Sequence, residues 1–285
     1  MPHIVAATDF SIRSQRALRR AGLLAAQIGA DLTLVTVIDD DRPPNIVEIE
    51  RAEADKFLNE QIASLTELRG VSCRAVTATG EAFEGILRVA KEVSCDLIVM
   101  GSHRKQVLLD VFIGTTIERV IRTGVYPVLM VNTPPEKSYE RVVAAVDLSP
   151  TSARAVKAAR ALHLMDNADV TLLHAFDAPA VDKMSLADAS KIEIDAYVGD
   201  MQEQASSELS AFREEHGLTD ATWRPRIVEG GAYENIKRVA TRERPDLMII
   251  GTHGRSALVK ALIGSVAEDI LRSLDVDILA VPPAR

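Results

Sequence analysis

Residues 3–39, HIVAATDFSIRSQRALRRAGLLAAQIGADLTLVTVID, lie without a gap on residues 141–177, RVVAAVDLSPTSARAVKAARALHLMDNADVTLLHAFD. At that offset of 138 residues Asp9 falls on Asp147, and 15 of the 37 positions are identical. The correspondence resumes downstream at an offset of 150, where Asp96, Gly101 and Gly114 fall on Asp246, Gly251 and Gly264. The second copy is therefore 12 residues longer in its middle, between Asp177 and Gly230. A repeat of this length exceeds a solenoid unit and matches a small domain. The chain reads as one domain written twice, over 1–133 and 139–285, with Pro134 and Pro135 in the short connection at 132–140.

Within each copy the hydrophobic pattern alternates between two periods. Short apolar runs at 4–7, 32–37, 71–76, 97–100 and 128–131 read as strands, separated by stretches of helical spacing at 14–28, 46–68, 82–93 and 115–122. The second copy repeats the strands at 142–146, 170–173, 223–228, 247–250 and 278–281. Strands that are apolar without interruption are buried on both faces, as in a parallel sheet covered by helices. The expected fold class is α/β, with two tandem doubly wound five-stranded parallel sheets.

Bulk properties narrow the function. The chain has 285 residues, 47% of them hydrophobic and 26% charged, enough for two cores of ordinary globular composition. A net charge of −8 without any Lys/Arg-rich block argues against a nucleic-acid surface. No apolar run reaches the roughly 18–20 residues that cross a bilayer, and Met1 leads into a strand with no leader pattern, so no membrane partner and a cytoplasmic location are expected. Cys73 and Cys95 lack metal-ligand spacing and read as reduced core thiols. His3, His163, His174 and His216 share no metal spacing either, and no metal site is expected from them.

In an open parallel sheet a ligand sits beyond the carboxyl ends of the strands, where strand order reverses. After the first strand of each copy come Asp9-Phe10-Ser11 and Asp147-Leu148-Ser149; after the fourth come Gly101-Ser102-His103-Arg104 and Gly251-Thr252-His253-Gly254-Arg255. A helix then opens on Gly114-Thr115-Thr116 or Gly264-Ser265-Val266. Glycines admit a phosphate close to the backbone, and a helix N-terminus supplies unpaired N–H groups and a positive dipole end. Structural readings stand beside these. Gly264-Ser265 could be a plain helix cap, Asp147 could cap the helix beginning near Ser149, and His253 could be a hydrogen-bonding residue of the framework.

Gly251-x-x-Gly254, nine residues, then Gly264-Ser265 resembles the nucleotide-binding signature of the universal stress protein family. The Asp after strand one and the Asp-Leu-hydrophobic-hydrophobic-Gly-x-His run at strand four are similar to that family too, and the likeness covers both copies. The resemblance implies an adenine-nucleotide site in the second copy, binding ATP with Mg as a candidate companion. In it Asp147 lies near the ribose, and the backbone at Ala175 reads the adenine edge. Gly251, Gly254 and Arg255 match the loop that wraps the phosphates, Gly264, Ser265 and Val266 match the helix-start cradle, and His253 is counted with the cofactor-binding residues. It also implies a regulator of stress tolerance. One-domain members resemble homodimers, so the two copies are expected to pack as an intramolecular pseudo-dimer through their apolar fifth strands, with a further homodimer left open.

The first copy departs at one place: Arg104, followed by Lys105, stands where the second copy has Gly254. A side chain there fills phosphate space or binds a different anion, and a degenerate or altered site is expected. No Walker A loop, nucleophile elbow or Rossmann fingerprint appears, and Asp147 is the one obvious carboxylate near the second cradle. Binding and sensing are expected rather than catalysis, with at most slow ATP hydrolysis or autophosphorylation. A phospho-acceptor receiver fails on its missing residues: Thr77 or Val228 stands where an Asp belongs, and Asn132 or Pro282 where a Lys belongs. A nucleotide-independent interaction module for a small hydrophobic or anionic ligand is the alternative. In it the inserted stretch 178–217 would line a pocket with Met184, Leu186, Ile192, Ile194 and Met201; the plainer reading of that stretch is a longer amphipathic helix with a solvated acidic face.

Overall fold

A computed structural model describes residues 1–102, 114–254 and 263–284. The first half runs β1 (His3–Ala7), α1 (Ile12–Ile28), β2 (Asp31–Ile38), α2 (Pro44–Ser64), β3 (Cys73–Thr79), α3 (Ala82–Glu92), β4 (Leu97–Gly101), α4 (Thr116–Thr123) and β5 (Val128–Val131). The second runs β6 (Arg141–Ala145), α5 (Pro150–Ala161), β7 (Asp169–Phe176), α6 (Val181–Leu186), α7 (Lys191–His216), β8 (Arg224–Glu229), α8 (Ala232–Glu243), β9 (Leu247–Gly251), α9 (Ser265–Ser273) and β10 (Asp277–Val281).

Local chemistry sets the helix ends. Ser11 caps α1 by accepting from Ser14 N, and Gly29 ends it in the left-handed region at φ 65°. Between them Ala17, Leu18, Ala21, Leu24 and Ala25 recur at three- and four-residue steps and are buried. Ser190 and Glu193 form a capping box at the start of α7, and Gly217 closes that helix at φ 65°.

The ten strands form one sheet in the order β3-β2-β1-β4-β5-β10-β9-β6-β7-β8. All pairings are parallel except β5 with β10, which is antiparallel and centred on Leu129 opposite Leu279. Those two residues occupy equivalent places in the two copies, so the join is a pseudo-two-fold seam. Side chains alternate along each strand between two cores: Ile4 and Ala6 belong to one, Val5 and Ala7 to the other, and both cores contain residues from each half.

At the seam, Asp277 is fully buried; its Oδ1 accepts from Asn132 N (2.9 Å), Thr133 N (3.0 Å) and Thr133 Oγ1 (3.0 Å). The Tyr139 hydroxyl donates to Oδ2 (2.8 Å), and Arg20 Nε lies 3.4 Å from the same oxygen. Arg20 also donates to the Lys137 carbonyl (2.7 Å) and stacks over Tyr139 at 4.3 Å. Residues of the connection and of both halves thus meet at one carboxylate.

The sequence reading is displaced at the sheet edges. The strands expected at 71–76 and 223–228 lie at Cys73–Thr79 and Arg224–Glu229, where the edge position leaves most side chains partly exposed and the hydrophobic signal weak. The helix expected over 46–68 ends at Ser64 and is followed by a single 3-10 turn, Thr66–Leu68. The inserted stretch is α6 plus the long α7, whose buried residues Ala205, Leu209 and Phe212 all lie in its second half. Leu186 and Ile192 are 87% and 81% exposed, so the insertion does not line a pocket with them.

Candidate functional site

Strand order reverses between β9 and β6, and a cavity of about 640 Å³ opens there. Asp147, Ala175, Gly251, His253, Gly254, Gly264, Ser265 and Val266 all line it, brought together from four loops. Arg255 lies outside the described residues, as do His103, Arg104 and Lys105 of the first half.

Asp147 does not cap α5. Ser149 is the N-cap, accepting from Ser152 N at 3.2 Å, and Asp147 Oδ1 in turn accepts from Ser149 N (3.1 Å) and Ser149 Oγ (2.6 Å). Leu148 between them takes a left-handed φ of 60°, as Phe10 does in the first half, a strained conformation for such side chains. The other face of Asp147 explains Gly254: a Cβ there would stand 2.9 Å from Asp147 Oδ2. The glycine therefore brings the loop after β9 directly against the carboxylate.

Thr252 holds the strand end to the helix start. Its N–H donates to the Val281 carbonyl (3.0 Å), and its own carbonyl accepts from Gly264 N (2.8 Å). Gly264 is the N-cap of α9 and provides no side-chain cap, while Ser265 is the first helical residue. The plain-cap reading of Ser265 therefore does not apply, and the opening N–H groups of α9 lack a capping side chain beside the cavity. His253 is buried, with Nδ1 2.9 Å from Thr252 Oγ1, and its Nε2 has no partner among the described residues.

Sequence reasoning missed His174 and the apolar wall. His174 is buried, donates from Nδ1 to the Val146 carbonyl (2.8 Å), and lines the cavity beside Ala175. Its position one residue before Ala175, with Thr36 as its counterpart, was the available signal. Ile236, Ile250 and Ile263 supply a greasy surface opposite the helix start.

The equivalent cavity of the first half, between β1 and β4, is about 290 Å³, less than half as large. Ile117 stands there in place of Ala267. Its helix start is also closed: Thr115 caps α4 by accepting from Glu118 N (3.3 Å), and the buried Glu118 carboxylate accepts from Gly114 N (3.2 Å). Among the described residues, this self-capping is the visible difference between the two helix starts.

Two doubly wound halves joined through their fifth strands, each with a pocket at its strand reversal, define a tandem α/β protein. The sequence model of the universal stress protein family matches residues 1–132 and again 138–282, and the chain belongs to that family. It is similar to universal stress protein E of Salmonella typhi, at 23% identity over 289 residues, covering 94% of this chain and 90% of that protein. It is also similar to universal stress protein MJ0577 of Methanocaldococcus jannaschii, at 26% identity over 156 residues, covering 50% of this chain and 94% of that protein. Among solved structures, a universal stress protein from Archaeoglobus fulgidus superposes with a TM-score of 0.73 at 18% identity, covering 98% of both chains. At that identity the likeness shows the fold.

Proposed function

We propose that the second half binds an adenine nucleotide, ATP in the first instance, and that the chain acts as a nucleotide-responsive regulator or sensor in a stress response. The observation that carries this reading is the uncapped start of α9 facing the same cavity as Gly254 and Asp147. Bare N–H groups and the helix dipole favour phosphate at that end. The apolar wall and the backbone at Ala175 suit a flat base, and Asp147 is an acceptor for ribose hydroxyls. The volume falls within the roughly 300–1,000 Å³ of small-molecule sites.

The residues fit a nucleotide better than a resident metal. Among the described residues no group of three or more His, Cys, Asp or Glu side chains is placed to hold an ion. Asp147, the one carboxylate on the cavity wall among those residues, already has Oδ1 engaged by Ser149. Magnesium would arrive with the phosphates, the usual arrangement for that ion. A lone carboxylate without a second positioned base supports binding over turnover. The partner side is narrower: the charge of −8 disfavours nucleic acid, and no helix among the described residues is long and apolar enough to cross a membrane.

Calorimetric titration of the full chain with ATP tests the proposal. Asp147→Ala and Gly254→Leu are each expected to weaken binding by roughly 10–100-fold, the range of one charge-assisted hydrogen bond. Undiminished affinity in Gly254→Arg, which installs the first half's own residue, would refute the assignment.

A further inference from the structure

The first half carries an apolar surface that the second half does not, and we propose that it docks a basic amphipathic helix of a partner protein. Of the 21 residues of α2, only Ala54 and Leu58 are buried. On the outer side of the helix Ile46, Ile49, Glu53 and Phe57 follow one another at steps of three and four residues. They therefore lie along one stripe, about 16 Å long at the helical rise. Ile46, Ile49 and Phe57 are all exposed, Ile49 at 56% and Phe57 at 50%. The Phe57 ring packs against that of Phe10, with centroids 5.8 Å apart, and Phe10 is itself exposed. Two elements thus bring two aromatic rings together without covering them. Single exposed apolar side chains are ordinary, whereas a contiguous group marks an interaction site.

The duplicated domain supplies the comparison. The buried residues of α7 include Ala205 and Leu209, at the same four-residue spacing as Ala54 and Leu58 in α2. When those pairs are aligned, Glu208 stands where Phe57 is and Asp200 where Ile49 is. In the gapless part of the repeat Leu148 stands where Phe10 is, and it is partly buried against the core. The fold itself therefore does not require the exposed rings and isoleucines of the first half.

Charge selects the partner. Residues 39–60 hold eight acidic and three basic side chains, a net −5 of the chain's −8. Arg42 pairs with Glu50, and Lys56 lies 3.9 Å from Glu60; among the described residues Glu48 and Glu53 form no ion pair. Glu53 falls between Ile49 and Phe57 on the stripe itself. An apolar stripe interrupted and rimmed by carboxylates repels a second copy of itself, a nucleic acid and an anionic membrane. It complements a helix whose apolar face is edged by lysine or arginine, laid against α2 with its apolar side chains on Phe10, Ile49 and Phe57.

The test is fluorescence anisotropy of the full chain with a labelled peptide of leucine and lysine, leucine recurring at three- and four-residue steps. A length of roughly 18 residues lets the peptide form a helix. Saturable one-to-one binding that weakens with salt is expected. Phe57→Glu, which installs the second half's own residue, is expected to weaken it roughly thirtyfold, the loss of one aromatic hot spot. Glu53→Lys is expected to weaken it severalfold at low salt, and Leu186→Ser with Ile192→Ser, exposed apolar positions of the other half, to leave it unchanged. Four results overturn the proposal: no saturable binding, undiminished binding in Phe57→Glu with native circular dichroism, equal binding of a peptide with glutamate in place of lysine, or a dimer in sedimentation that Phe57→Glu dissociates. The glutamate peptide tests the charge argument on the unaltered chain, whatever Phe57→Glu does to folding.

Discussion

Replacing Asp277 by Ala tests whether the two halves are locked together by one buried carboxylate. The substitution removes the acceptor for Asn132 N, Thr133 N, Thr133 Oγ1 and the Tyr139 hydroxyl, and the counter-charge of Arg20, which is 4% exposed. Leaving a buried partner charge uncompensated costs about 3–5 kcal/mol. Unpaired N–H groups add to that only where water cannot enter, so the total is expected to stay near this range. At about 2–4 °C per kcal/mol, the thermal midpoint should fall by roughly 6–20 °C. Urea unfolding followed by far-ultraviolet circular dichroism and by the fluorescence of the single tryptophan, Trp223, gives the value. The two probes should move together because the sheet is continuous. Adding Arg20→Ala to Asp277→Ala should recover part of the loss, since the orphan cation is gone. A loss below about 1 kcal/mol in Asp277→Ala, or no recovery in the double variant, would refute the reasoning.

Other perturbations have defined outcomes. Burial pushes the Cys95 thiol up to about 12 and the Cys73 thiol up to about 11, and burial together with Asp277 raises the Tyr139 phenol well above its usual value. A raised pKa in the folded state means stability fully present below the unfolded value and lost above it, so the urea midpoint should decline from about pH 9 upward, and Tyr139→Phe should flatten the limb above pH 10. Cys95, buried and held as the thiol, should resist Ellman's reagent at pH 8 until the chain unfolds; a fast native-state reaction would contradict its placement. Gly254→Ala should lower stability by less than about 1 kcal/mol, because the one atom its Cβ meets, Asp147 Oδ2, is the end of a side chain that can turn aside; a larger fall in the thermal midpoint that Asp147→Ala does not relieve would contradict this contact. Leu186→Ser with Ile192→Ser should change stability by less than about 0.5 kcal/mol and leave ATP titrations unaltered.

Much of the fold was legible because burial is periodic. The repeat at offsets of 138 and 150 gave two equivalent halves, and uninterrupted apolar runs such as Val128–Val131 marked strands covered on both faces. The exposed-edge argument also placed the fifth strands together, as β5 and β10 are. The signal faded at the outer strands β3 and β8, where side chains are only half-covered and alternation no longer tracks burial. For the site, the rule of strand ends brought Asp147, Gly254 and Gly264 to one cavity from positions 117 residues apart in the chain.

The sequence by itself determined the class of fold, its duplication and the loops that meet at each strand reversal, because these follow from hydrophobic period, glycine placement and chain order. Only the tertiary structure decided how those loops are used. Ser149 rather than Asp147 caps α5, Glu118 closes one helix start while the other stays uncapped, and Gly254 yields space to a carboxylate. It also decided that Arg20 of the first half is buried against Asp277 of the second. The physical reason is range. Periodicity is set by residues a few places apart, whereas hydrogen bonds and charge pairing depend on which groups packing brings within about 3 Å, often from opposite halves of the chain.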